Sequence, residues 1–251
     1  MKKVAICYSG EPRSIEKTFQ NHLNFLINPL INAGVEVDIF AHIWFDPSLI
    51  NKPFWESYPS RGIWLESTPN FIVDYIKPKS YIIEKPKEFN DKDFKPDLRF
   101  PHPIKNMLSM FYGIENVFNL KSEYEIKTNK KYDYSVRIRP DLMFSSLFSN
   151  LEEISVSSVN IIFDTNKHTD YSIGDHFAIG SNDLMNVYSV VFSNFKKIID
   201  SGSAINPECL LGYWLKMNSI EVKTQPWSHC LFRDHETNCS ILARFIGKIF
   251  K

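Results

Sequence analysis

One stretch, Tyr132 to Phe144 (YDYSVRIRPDLMF), leaves the chain few ways to fold, because it joins a strand pattern to charge that a strand does not need. Tyr134, Val136 and Ile138 alternate with Ser135, Arg137 and Arg139, so both arginines leave the same face of the pleat. Pro140 has no N–H to give, so it stops the ladder, and Asp141 follows in the turn. In an open α/β sheet the turn beyond a strand's carboxyl end is where ligands bind. The stretch therefore suits either an edge strand whose arginines pair with surface carboxylates, or a site for an anionic ligand with Asp141 at its mouth.

The start of the chain points to the same kind of sheet. Lys3 to Tyr8 is a nearly unbroken apolar run, as befits a central strand covered on both faces. Ser9, Gly10, Glu11, Pro12 and Arg13 then turn into a helix, with Pro12 suited to its first position and Ile15, Phe19, Leu23 and Leu26 at helical spacing. Pro29 is expected to kink or end that helix. A strand, a Ser-Gly turn and a helix N-terminus offer backbone N–H groups to an anion, and Arg13 adds a full charge. The spacing is that of neither a Walker loop nor GxGxxG. After Gly34, VEVDIFAHIW reads as a second strand, so strand, helix and strand begin a right-handed parallel sheet. His42, near that strand's carboxyl end, suits either a functional contact or a plain hydrogen-bonded histidine.

Residues 46–103 lose the pattern under many prolines, with aromatics at Phe54, Trp55, Tyr58 and Trp64. They are expected to form a variable, loop-rich insertion that covers the site and selects its substrate, with one short strand at Ser80 to Glu84. Ile104 opens an amphipathic helix with Met107, Leu108, Phe111, Ile114, Val117 and Phe118 on one face. Asn106, Ser109, Gly113 and Asn116 make a second stripe, suited equally to close packing and to ligand contact. Further strands are expected at VNIIFD and at HFAIG, the latter opened by Asp175 and His176. Ser181 should cap a helix from Leu184 to Ile199 that ends near Ser201-Gly202. Pro207 and Glu208 should start another through Met217, with IEVKT as the last strand. The expected whole is an α/β chain with a mostly parallel sheet flanked by helices, long enough for one large domain or two small ones.

Composition narrows the classes. At 43% hydrophobic and 23% charged, 251 residues can bury a full core. Lysine plus arginine equals aspartate plus glutamate at 29 each, and no long basic run appears, so nucleic acid is not an expected partner. Cys7, Cys209, Cys230 and Cys239 have no CxxC spacing, which fits space-filling thiols in a reducing compartment and leaves a disulfide without support. The apolar run after the first lysines is too short for a signal peptide, and no stretch nears the roughly 18 apolar residues of a membrane span. A cytoplasmic protein is expected. In residues 240–251 (SILARFIGKIFK), Ile241, Leu242, Phe245, Ile246, Ile249 and Phe250 would share a helical face with Arg244, Lys248 and Lys251 opposite or at its margin. Such a basic amphipathic helix either closes the core or lies on the inner membrane surface.

The segments CYSGEPRS, DIFAHIW, NMLSMFYGIENV, YDYSVRIRPDLMF, GDHFAIGS and NPECLLGYWL, in this order from about Val4 to Val222, resemble a family of small bacterial and viral glycosyltransferases of the GT-A kind. Members are similar to enzymes encoded with capsule, lipopolysaccharide or surface-glycan genes. The resemblance implies a single GT-A-like α/β domain over residues 1–251 with a mostly parallel, Rossmann-like sheet, a nucleotide-sugar donor, held here by Ser9, Gly10, Arg13, Ser109, Arg137, Arg139 and Asp141, and transfer to a hydroxyl of a glycan or lipid-linked glycan. Many GT-A enzymes hold Mg2+ or Mn2+ against the donor diphosphate with Asp-x-Asp; this chain reads Arg139-Pro140-Asp141 there. Either Asp141 alone completes a metal site with phosphates and waters, or Arg137 and Arg139 neutralise the diphosphate themselves. Candidate catalytic groups are Asp175, Glu208 and His176; Glu208 also suits the helix dipole without any catalytic task. Two other classes fit the same residues: an inactive GT-A domain that binds glycan or nucleotide, and a phosphate- or sulfate-transferring enzyme.

Overall fold

The structure, a computed structural model, describes residues 1–50, 64–100, 103–146, 150–162 and 168–232. Its centre is β1 (Lys3–Gly10), which pairs in parallel with β2 (Glu36–Trp44) on one side and with β4 (Tyr134–Ile138) on the other. Beyond β2 lies the parallel β3 (Ser80–Glu84). Beyond β4 come β7 (Phe177–Ser181), β6 (Ser158–Ile162) and β8 (Glu221–Gln225); only β7 runs against the rest. The seven strands stand in the order β3-β2-β1-β4-β7-β6-β8. This mostly parallel sheet with helices on both faces is compatible with a Rossmann-like arrangement. Because β4 is an interior strand, its arginines are not those of a sheet edge.

Both faces of β1 are buried, which is why its sequence is apolar throughout. Val4, Ile6 and Tyr8 join Ile15, Phe19, Leu26 and Leu30 in one core, while Ala5 and Cys7 join Met107, Phe111, Ile114 and Leu211 in the other. The first core is covered by α1 (Ile15–His22), which continues through a π-turn at Leu23–Ile27 into α2 (Asn28–Asn32). Pro29 neither ends nor breaks the run: the wide turn before it takes up the missing N–H, and the proline falls in the first turn of α2, where that loss costs little. The second core is covered by α4 (Ile104–Thr128), α5 (Asn182–Ser189), α6 (Val191–Asp200) and α7 (Pro207–Met217). The helix expected from Leu184 to Ile199 is thus two, divided at Val190. Ser189 donates its hydroxyl to the Asn186 carbonyl (2.8 Å), competing with the backbone there.

Other expectations are corrected. Ser181 stands at the start of α5 without a side-chain cap bond, and α1 begins at Ile15 rather than at Pro12. IEVKT is not the last strand: β9 (His229–Leu231) pairs antiparallel with β5 (Leu142–Phe144). Cys7 and Cys209 are free, but Cys230 is disulfide-bonded, so the chain does not hold thiols alone. Within the expected insertion, residues 64–100 contribute β3, α3 (Thr68–Asn70) and a π-helical turn at Phe71–Ile76, and residues 85–100 form the expected loop. Phe54, Trp55, Tyr58 and the amphipathic segment 240–251 lie outside the described residues. Among the described residues no helix is long and apolar enough to cross a membrane.

Candidate functional site

The order of the sheet locates the site. The chain steps outward from β1 through β2 to β3, then returns to place β4 on the other side of β1. At such a reversal the loops diverge and leave a crevice beyond the carboxyl ends of the strands. A cavity of about 270 Å3 lies there. Ser9, Gly10 and Arg13 reach it from the end of β1, Arg137, Arg139 and Asp141 from β4 and its turn, and Ser109 from α4. Asp175 and His176 arrive from the approach to β7, and Glu208 from the first turn of α7. The ten residues named above as donor-binding or catalytic candidates therefore line one cleft, and His42 does not.

Local chemistry holds these groups in place. Gly10 leaves β1 with φ +121°, a conformation that side chains rarely adopt, and Arg13 sits at φ +43°. The turn after β4 is secured by side chains of α1. Thr18 donates to the Pro140 carbonyl (2.5 Å), and Asn21 bonds both the N–H and the carbonyl of Phe144. His22 donates from Nε2 to the Leu142 carbonyl (2.6 Å), so its Nδ1 accepts from the Tyr8 hydroxyl (3.1 Å). Burial pushes the His22 pKa down to about 4, partly offset by the Leu142 bond, which keeps this neutral tautomer. On the far side, Asn206 caps α7 by accepting from the N–H groups of Glu208 (3.0 Å) and Cys209 (3.3 Å). Gly212 lets the Tyr171 loop lie against α7; a Cβ there would stand 1.7 Å from the Tyr171 carbonyl oxygen.

Asp141 is 1% exposed and its carboxylate is fully engaged. Arg139 grips it with two bonds, Nε to Oδ1 and Nη2 to Oδ2, both 2.9 Å, and Arg13 Nη1 adds a third to Oδ2 at 2.5 Å. Burial alone would raise the Asp141 pKa, yet Arg13 and Arg139 hold it well below the usual carboxylate range. Of the two arrangements open for the diphosphate, these residues do not fit the one with a divalent cation on Asp141. A metal would have to displace two guanidiniums from both oxygens, and among the described residues no three His, Cys, Asp or Glu side chains gather as a ligand set.

Arg137 differs. It is 1% exposed and gives Nη1 to the backbone carbonyl of Asp175, while its Nε has no hydrogen-bond partner among the described residues. Burial lowers its pKa. Ser9 Oγ, Trp44 Nε1 and Asn106 Oδ1 likewise lack partners, and all four residues line the cleft. Buried polar atoms are nearly always paired, so such a cluster marks where a ligand's polar atoms belong.

His176 is neutral at pH 7, since burial pushes its pKa down to about 4 despite nearby Asp175. Its Nε2 lies 3.4 Å from Asp175 Oδ1 and its Nδ1 3.3 Å from His229 Nε2. Asp175 is held below the ordinary carboxylate pKa: burial opposes this, but neighbouring His176, then Arg139 and Arg137, outweigh it. The sequence reading missed Trp44, which lines the cleft, and His229, which stands against His176. The small-residue stripe of α4 signalled Asn106 and Ser109, which face the cleft, whereas Gly113 packs tightly, its absent Cβ 3.3 Å from His42 Nδ1. His42 is buried behind the cleft, its Nε2 3.0 Å from Glu84 Oε1. A larger cavity of about 1410 Å3 lies between the Tyr171 loop, α7 and β8, but none of the unpartnered buried atoms lines it. Compared with known proteins, the chain matches no family model and no curated sequence.

Proposed function

We propose that the protein is a GT-A-type glycosyltransferase that moves a sugar from a nucleotide-sugar donor to a hydroxyl of a glycan or glycolipid acceptor. The observation that carries this reading is one cleft, at the reversal of strand order, where three guanidiniums gather with Asp175 and Glu208. In the transfer the bond between the sugar's anomeric carbon and the diphosphate breaks, and charge collects on the departing diphosphate. Arg13, Arg137 and Arg139 are the groups that would bear it. For an inverting enzyme the acceptor hydroxyl loses its proton to a carboxylate as its oxygen takes the anomeric carbon. Asp175 is ionised for that step and has neutral His176 beside it; Glu208, at the N-terminus of α7, is the second candidate. Resemblance to capsule and lipopolysaccharide enzymes supports a surface polysaccharide as product.

A thermal-shift series with nucleoside diphosphates, followed by a panel of nucleotide sugars scored for hydrolysis and transfer, tests the reading. A rise in Tm with at least one nucleoside diphosphate is expected, and its absence throughout would remove the nucleotide. Asp175→Asn or Glu208→Gln should leave donor affinity near that of the unchanged protein and lower turnover by roughly 100-fold or more. Binding without turnover of any sugar would favour the inactive module, a reading supported by Arg139-Pro140-Asp141 standing in place of Asp-x-Asp.

A further inference from the structure

The Asp141 carboxylate stands where the resemblance expects a metal ligand, but its chemistry is that of a clamp. Both oxygens accept from guanidiniums whose Cα positions lie 128 and 2 residues away in sequence, so the clamp ties the turn after β1 to the turn after β4. Arg13 also reaches Glu11 Oε2 (3.4 Å) and is held in the left-handed backbone region, a strain that persists only where surrounding contacts over-determine it. A guanidinium has five N–H groups. Asp141 and Glu11 together take two from Arg13, and Asp141 takes two from Arg139, which leaves donors on both for a ligand. The charged groups lining the cleft are Arg13, Arg137 and Arg139 against Glu11, Asp141, Asp175 and Glu208. Of the three cations, Arg137 is the one whose bond goes to a backbone carbonyl, and the unpartnered Ser9 hydroxyl lines the same cleft.

We propose that Asp141 is a positioning residue which sets Arg13 and Arg139 side by side, so that they and Arg137 take the charge of a ligand's diphosphate without a divalent cation. This rests on the nucleotide-sugar reading above and specifies how that site is built. Two guanidiniums held on one carboxylate present further N–H groups to phosphate oxygens, and pre-setting them avoids the ordering cost of long side chains at binding. A metal ligand and a guanidinium clamp make opposite demands on the same two oxygens, so the alternatives separate cleanly.

The test is isothermal titration calorimetry of the full chain with UDP, GDP, CDP and ADP, each in EDTA and again with Mn2+. The expected result is that at least one diphosphate binds in EDTA within about threefold of its affinity in Mn2+. Binding that appears only with Mn2+ overturns the clamp and leaves the nucleotide reading standing. Failure of every diphosphate in both media overturns that reading and the clamp with it. Asp141→Asn should weaken the tightest diphosphate about tenfold, equally in both media, and lower its preference over the matching monophosphate. A variant that merely loosens the fold would weaken monophosphate and diphosphate alike. Arg139→Lys keeps the charge but not the two-bond grip, and should reproduce the loss; unchanged diphosphate preference in both variants overturns the proposal.

Discussion

Two buried polar clusters sit on one face of β4, built around side chains two residues apart, and they obey opposite rules. At the amino end, Lys121 is fully buried and its ammonium donates to Asn182 Oδ1 (2.5 Å) and Asn186 Oδ1 (2.6 Å), with Glu125 Oε2 at 3.5 Å. Asn182 also accepts from Ser135 (2.7 Å) and donates to Glu125 (3.1 Å), which in turn accepts from the Tyr132 N–H (3.0 Å). At the carboxyl end, Arg137 is as deeply buried, yet its Nε, the Ser9 hydroxyl and the Trp44 indole have no partners among the described residues. Burial and charge are therefore common to both. What separates these two clusters is whether the atoms around the buried cation are already paired.

The largest expected effect lies at the paired cluster. Lys121→Ala takes the cation from half-buried Glu125 and the donor from the Asn186 side-chain carbonyl, and empties a fully buried position, so it should cost roughly 2–3 kcal/mol in urea denaturation. A loss below about 1 kcal/mol would mean that the cluster is incidental and would blur the contrast drawn here. The next effect is set by pH and by the histidine that secures the turn of the cleft. His22 has a folded pKa of about 4, below its ordinary value, so the unfolded chain binds its proton first as pH falls. Above pH 6.5 neither state is charged and no dependence arises. Between pH 6.5 and about 4 stability should fall, by at most about 1.4 kcal/mol per pH unit for this residue. Chemical denaturation over that range should show the decline, and His22→Gln should remove the His22 share of it while leaving the matching share of His176.

Much of this arrangement was legible in the chain, for physical reasons. Strands buried on both faces announce themselves as apolar runs, and residues just past strand ends in a parallel sheet converge on one edge, so the site could be assembled from motif positions. The role of Asp141 could not. Its principal new partner, Arg13, lies 128 residues away, and whether a carboxylate meets a guanidinium or an open position depends on side-chain packing that no spacing encodes. The π-turn at Leu23–Ile27 escaped notice because one widened turn ahead of Pro29 leaves the apolar spacing of the helix nearly unchanged. The strand β9 is three residues long, too short for alternation to register, and it brings His229 against His176. Cys230 lies in that strand, and nothing in its spacing distinguishes it from the two free thiols.

The smallest expected change in stability belongs to the unpaired cluster, and it carries the sharpest contrast. Arg137→Met removes a buried cation while keeping an unbranched side chain that can fill the space among Cys7, Ala178 and Tyr188. The deletion orphans the Asp175 backbone carbonyl, which costs about 1 kcal/mol. It also relieves the burial of a charge that no carboxylate bonds directly, and replacing buried ions by apolar groups is often neutral or stabilising. These terms oppose each other, so the unfolding free energy should move by less than about 1 kcal/mol. Diphosphate affinity should instead fall by roughly tenfold or more, because a desolvated guanidinium bond to phosphate is lost outright. Denaturation and calorimetry on the same preparation measure both. A large stability loss in Arg137→Met with unchanged diphosphate affinity would place Arg137 beside Lys121 as a structural residue, and would erase the distinction between the two ends of β4.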